Sequence, residues 1–210
     1  MPRQPNRKIA LNQYRQRARF YDYELALFEP IRRRAIARLK LEPGATVLDV
    51  GCGTGLSLDL LQRHIGPAGR VVGIEQCPEM LDQARQRVAR QRWGNVTLLN
   101  APAEDANIAC MADAALFHFT HDILRKRKAI RKIVQSLKPH ARVVASGLKW
   151  AAPWDLLTNG FVLMAALHSI TSLEGLDQPW SLLSEYLGEI EVDTTLIGAV
   201  YIATGFVNSG

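Results

Sequence analysis

Asp49 and the run Gly51-Cys52-Gly53-Thr54-Gly55 are the residues whose types and spacing first suggest chemistry. Glycines at positions 51 and 53 let the backbone come close to a ligand where a Cβ would intrude, and a turn that opens into a helix N-terminus favours polar or anionic groups. An acidic side chain sits two positions before the first glycine, inside a Val-Leu-Asp-Val run. The spacing is G-x-G-x-G, whereas the dinucleotide fingerprint is G-x-G-x-x-G, so a nicotinamide dinucleotide is the second choice of ligand. Farther along, Leu116-Phe117-His118-Phe119-Thr120-His121-Asp122 brings two imidazoles to the end of an apolar run. His118 and His121 are candidate bases, because imidazole titrates near neutral pH and can take a proton from an attacking amine or hydroxyl. The plain alternative is a His that hydrogen-bonds the backbone at a strand end, followed by Asp122 as the cap of the next helix. His121 and Asp122 as neighbours lack metal-ligand spacing, and no metal site is expected.

These residues need a frame, and hydrophobic periodicity supplies one. Thr46–Val50 reads as a buried strand, and Leu56, Leu58, Leu60 and Leu61 after the glycine run fit a helix. Arg70–Glu75 reads as a second strand, Pro78–Arg90 as a helix with Pro in its first turn, and Val96–Leu99 as a third strand. Ala112–Phe117 is the fourth strand, Ile123–Leu137 a strongly basic helix, and Arg142–Gly147 a fifth strand after a turn at Pro139. Alternation of strand and helix predicts right-handed βαβ units and a doubly wound parallel sheet. Asp155–Thr171 is expected to be helical. Ile190–Leu196 and Ala199–Val207, separated by Gly198, predict an antiparallel hairpin at the sheet edge and bring the strand total to seven. Ahead of the first strand, Leu11, Tyr14, Ala18, Tyr21, Leu25 and Phe28 form one stripe of an amphipathic helix, with Arg15, Arg17 and Arg19 off it. Pro30 interrupts or restarts that helix.

At 210 residues, with 48 % apolar and 22 % charged residues, the chain fits a single packed domain and excludes a disordered or collagen-like protein. Its longest apolar run, Phe161 to Leu167, is too short to cross a bilayer, and the N-terminus is polar and basic, so a cytoplasmic protein is expected. Cys52, Cys77 and Cys110 are read as reduced thiols. The net charge of +6 is unevenly spread: residues 1–40 hold 11 Lys and Arg against 3 Asp and Glu, and residues 151–210 hold none against 7. A basic arm of this kind suits phosphates or an anionic membrane surface, or is a solvated helix face. Trp150, Trp154 and Trp180 flank the segment after the fifth strand and are either cation–π partners for an ammonium or core residues, with core favoured for at least two of them.

VLDVGCGTG resembles the glycine-loop motif of the class I S-adenosylmethionine-dependent methyltransferases nearly letter for letter, and the resemblance runs from residue 45 to about 150. It implies a Rossmann-like α/β domain spanning 1–210, with a helical N-terminal lid (1–44), a cofactor-binding core (45–150), and substrate-side helices with a closing hairpin (151–210). The implied cofactor is S-adenosyl-L-methionine, bound by Asp49, Gly51, Cys52 and Gly53 at the turn and by Glu75 and Gln76 at the end of the second strand. A carboxylate at position 75 can accept two hydrogen bonds from vicinal ribose hydroxyls. The resemblance places Met80 against the adenine, although a Met at helical spacing is often simply core. In Asn100-Ala101-Pro102-Ala103-Glu104-Asp105 the family's usual acidic position falls on Pro102, which leaves Glu104, or backbone groups around Ala103, for the adenine. Tyr14, Tyr21 and Tyr23 become lid residues, with Arg19 as a weaker one. The implied reaction is in-line methyl transfer to a small-molecule amine, hydroxyl or carbon, which needs orientation and desolvation more than a fixed catalytic set. The alternative acceptor is a phospholipid ethanolamine headgroup met at an anionic membrane through the basic helix. Nucleic acid is disfavoured, since no Asn-Pro-Pro-Tyr type of motif follows the fourth strand. A cofactor-binding regulator without catalysis is the non-enzymatic reading.

Overall fold

A computed structural model describes residues 26–208. Tyr14, Arg19, Tyr21 and Tyr23 lie outside the described residues. After a 3₁₀ turn at Ala26–Phe28, the elements are α1 (Glu29–Arg38), β1 (Thr46–Val50), α2 (Leu58–Ile65), β2 (Arg70–Glu75), α3 (Pro78–Gln91) and β3 (Val96–Asn100). They continue with β4 (Ala112–His118), α4 (His121–Leu124), α5 (Arg127–Val134), β5 (Leu137–Leu148), α6 (Leu156–Ser169), β6 (Glu191–Thr195) and β7 (Val200–Phe206). The seven strands form one sheet in the order β3-β2-β1-β4-β5-β7-β6. The first five are parallel, and β7 runs antiparallel to both β5 and β6. The doubly wound sheet with its C-terminal hairpin is thus the one expected from the alternation.

The order in which the chain adds strands reverses at β1, with β2 on one side and β4 on the other, so a crevice opens at their carboxyl ends. One apolar layer contains Leu48, Val50, Ile74, Phe117, Ala145 and Tyr201. The opposite layer joins Val47, Leu116 and Val144 to Ile31, Ala35 and Ile36 of α1 and to Ala166 of α6. Because side chains alternate along a strand, Asp49, His118 and Ser146 share the α1 side with Val47, Leu116 and Val144.

Three local expectations change. The basic helix read over Ile123–Leu137 is two short helices, broken where Lys126 is extended and its Nζ reaches Glu104 Oε1 at 2.8 Å. Asp122 does not cap: its carboxylate accepts hydrogen bonds from Thr171 N (3.2 Å) and Thr171 Oγ1 (2.9 Å), holding the chain that leaves α6. Pro139 is an irregularity inside β5 instead of a turn before it. Leu137 pairs with Ala112 and Arg142 with Ala114, and His140 takes up the extra length at a φ of 61°.

Candidate active site

The turn after β1 folds as it does because Gly51 and Gly53 adopt φ values of 74° and 56°, a region that costs other residues strain. Gly51 N and Cys52 N both donate to Ile74 O, at 2.8 and 3.0 Å, tying the turn to β2. A Cβ on Gly51 would lie 2.5 Å from Thr120 Cγ2 and 3.1 Å from Ile123 Cδ1, so the start of α4 presses directly on the turn. Cys52 is buried against Leu81 and Ala84, and burial keeps its thiol protonated.

Glu75 ends β2 beside this turn. Its Oε1 accepts from Cys77 N at 2.7 Å and its Oε2 from Gly53 N at 3.2 Å, so the carboxylate is fixed in position before any ligand arrives. Each oxygen keeps a second lone pair for a further donor. Burial raises the Glu75 pKa, and the backbone N–H groups of Cys77, Gly53 and Gln76 oppose that rise. Next to it, Gln76 Oε1 is buried without a hydrogen-bond partner.

Asp49 is 2 % exposed, and its Oδ2 is also without a partner. Burial pushes its carboxyl up to about 7, against the pull of Arg32 and with a push from Glu75. Arg32, itself 2 % exposed, pairs with Glu29 one helical turn back, and its Nε has no partner. His118 Nδ1 lies 2.7 Å from Ser146 Oγ, while Nε2 is buried and unpartnered. Burial first, and Arg32 second, lower this imidazole to about 3, so it is neutral through the physiological range. Burial thus disfavours the imidazolium that the base role expected from sequence would form. His121 is also buried. Its Nε2 lies 3.0 Å from Glu174 O, which can only accept, so that nitrogen carries the proton and the ring anchors the 170–175 loop. Burial again lowers its pKa, with Asp122 opposing.

The structure thus brings Asp49, Gly51, Gly53, Glu75, Gln76 and His118 to the carboxyl ends of β1, β2 and β4. Met80 is buried in α3, Ala103 is buried, and Glu104 is engaged by Lys126. Trp150 and Trp180 pack against the two apolar layers, the latter with its ring centroid 5.1 Å from that of Tyr201, whereas Trp154 is exposed. Sequence reading missed Arg32, Thr120, Ser146 and the Phe28–Phe119 ring contact at 4.8 Å. Arg32 had a signal: among Arg32, Arg33 and Arg34 it alone falls on the stripe of Phe28, Ala35 and Leu39.

An adenosyl amino acid fits these residues. The fixed Glu75 carboxylate offers acceptors for a diol, the partnerless Gln76 Oε1 an acceptor for a further polar hydrogen, and the buried, partnerless Asp49 oxygen a counter-charge for a cation. Comparison with known proteins agrees. The family described as a methyltransferase domain matches residues 47–140. An arsenite methyltransferase of Halobacterium salinarum is 34 % identical over 113 residues, covering 46 % of this chain and 29 % of its own length. A 2-phytyl-1,4-naphtoquinone methyltransferase of Trichormus variabilis is 30 % identical, covering 48 % of this chain and 45 % of its own. The chain therefore spans less than half the length of these relatives. The N-methyltransferase NodS of Bradyrhizobium japonicum, solved with S-adenosyl-l-homocysteine, shares the fold with a TM-score of 0.65 at 18 % identity, over 89 % of this chain and 92 % of its own. The seven-stranded sheet and the glycine turn closed by Glu75 agree with the match of residues 47–140 to the methyltransferase-domain family, and the chain is similar over that stretch to S-adenosylmethionine-dependent methyltransferases.

Proposed function

We propose that the protein transfers a methyl group from S-adenosylmethionine to a small-molecule acceptor. The observation that carries this reading is the Glu75 carboxylate, fixed by Gly53 N and Cys77 N at the mouth of the glycine turn. The cofactor supplies the activated carbon, a methyl on a sulfonium. The chain has to hold and orient the reactants and keep water out. Glu75 would accept the ribose hydroxyls, Gln76 Oε1 a further polar hydrogen of the adenosyl moiety, and Asp49 would face the cationic amino-acid end. His118, neutral and anchored by Ser146, would direct Nε2 at the acceptor's polar hydrogen. Relatives named for arsenite, for nocamycin and for a naphtoquinone support acceptors of small size. An ethanolamine headgroup at a membrane is the second reading, favoured by the exposed apolar side chains Leu157 and Met164 of α6.

Isothermal titration of S-adenosylhomocysteine into the full chain tests the donor side. Binding in the micromolar range is expected, and Glu75→Ala should weaken it by about 1.5–3 kcal/mol through lost charge-assisted hydrogen bonds. Unchanged affinity in that variant would remove the assignment.

A further inference from the structure

At the amino ends of β1, β4 and β5, the end of the sheet away from the glycine turn, lies an open cavity of about 440 Å³. Its walls come from the connection between α1 and β1, the start of β4, the irregular stretch of β5 around Pro139, and Phe206 at the end of β7. The five residues of β1, roughly 17 Å of extended chain, separate it from the glycine turn.

Three cations line this cavity: Lys40, Lys138 and Arg142. Arg142 is half-buried and held in place. Its Nη1 donates to Arg38 O at 3.3 Å, and its guanidinium carbon stands 4.5 Å from the centre of the Phe206 ring. Among the described residues no carboxylate pairs with it. Glu191 and Asp193 of β6 are taken by Arg38, and Asp113 accepts from Lys138 Nζ at 2.6 Å and from Thr46 N at 2.8 Å. Lys40, at the end of α1, likewise forms no ion pair among the described residues. Of the two carboxylates that line the cavity, Asp113 is thus committed, and Glu42 is exposed. Lys40 and His140, which also lines it, hold φ values of 46° and 61°, a conformation that costs such residues free energy and recurs where a ligand is clamped.

We propose that this cavity binds the phosphate group of a small phosphomonoester. A guanidinium fixed by a ring face and a carbonyl loses little freedom when its fork takes two oxygens of one tetrahedral anion. Lys40 adds a point charge, and Lys138 keeps two ammonium hydrogens beyond the one given to Asp113. Leu41 and Phe206, the latter 43 % exposed, offer apolar surface to the organic part of the ligand. A nucleic-acid backbone fits less well, because basic surface does not continue past the cavity on the β6 side: residues 151–210 hold seven Asp and Glu and no Lys or Arg. The site is independent of the methyl-transfer reading.

Isothermal titration of phenyl phosphate into the full chain saturated with S-adenosylhomocysteine tests the proposal. Saturable binding with a Kd of about 1 mM or below is expected. Arg142→Gln should weaken it at least tenfold, and Arg142→Lys should recover only part of the loss, since a point charge lacks the fork. Lys40→Gln should weaken it and Glu42→Gln strengthen it, each about threefold. The last two replace exposed side chains, so their thermal midpoints and their affinity for S-adenosylhomocysteine should match the wild type. No saturable heat up to about 10 mM, unchanged affinity in both Lys40→Gln and Arg142→Gln, or displacement of phenyl phosphate by S-adenosylhomocysteine would overturn the site. So would a single-stranded oligonucleotide that binds more tightly than phenyl phosphate and loses its affinity in the same two variants, which would make the cavity part of a nucleic-acid surface. Phenyl phosphate binding to a chain that does not take S-adenosylhomocysteine would leave the site standing and sink only the methyl-transfer reading.

Discussion

Asp49 holds a carboxyl in an apolar strand environment that favours its neutral form, beside a glycine turn where a cation would favour its charged form. The sign of the resulting pH dependence follows. With a pKa near 7 in the free protein, binding a cationic ligand below that pH must first release a proton, so affinity falls as pH falls. S-adenosylhomocysteine keeps its α-ammonium charged across this range, and its affinity is expected to be roughly tenfold weaker at pH 6 than at pH 8. Asp49→Asn should flatten the profile at a weaker level, and calorimetry at the two pH values checks both. His118, already neutral, contributes no titration in that window. Its depressed pKa acts elsewhere: the stability it supplies is complete above about pH 6.5 and is lost as pH falls from there towards 3, because the unfolded chain takes up the proton first.

At the scale of elements, α1 links the N-terminal segment to the site. Its apolar side places Ile31, Ala35 and Ile36 on the sheet, and the same stripe carries Arg32 under Asp49 and His118. Truncating Ile36→Ala should cost about 2–5 kcal/mol of stability, read as a lower urea midpoint, since the fully buried side chain leaves a cavity between helix and sheet. Reduced affinity for S-adenosylhomocysteine should accompany it if α1 also positions Arg32. Strand, glycine turn and helix boundaries around residues 46–91 were legible from the chain because each is set by neighbours a few positions away. The break at Arg125–Lys126 was not. An eight-residue basic run with apolar residues at helical spacing looks continuous until Glu104, more than twenty positions upstream, draws Lys126 out of it.

For the whole molecule, ligand and fold are linked. A ligand that bridges β1, β2 and the glycine turn binds only the folded chain, so S-adenosylhomocysteine at a hundred times its dissociation constant adds about 2.7 kcal/mol. For a domain of this size that corresponds to a rise in Tm of roughly 5–10 °C, measurable by scanning fluorimetry or calorimetry. No rise would count against binding at the folded site. The same scale decides the surface. Charge and hydropathy along the chain showed a basic beginning and an acidic end, but not that Lys40 and Arg142, about a hundred residues apart, line one cavity at the amino end of the sheet.

By itself the sequence determined the βαβ order, the glycine turn and the carboxylates at positions 49 and 75, because these depend on periodicity and on backbone conformations that only certain residues adopt. Tertiary structure alone decided the rest: that Arg32 is buried and acts on Asp49, that burial holds His118 neutral, that His121 and Asp122 anchor a loop, and that α6 leaves one face bare. Burial and electrostatic fields come from residues distant in the chain, and a protonation state is set by what packs around a group, not by its neighbours in sequence.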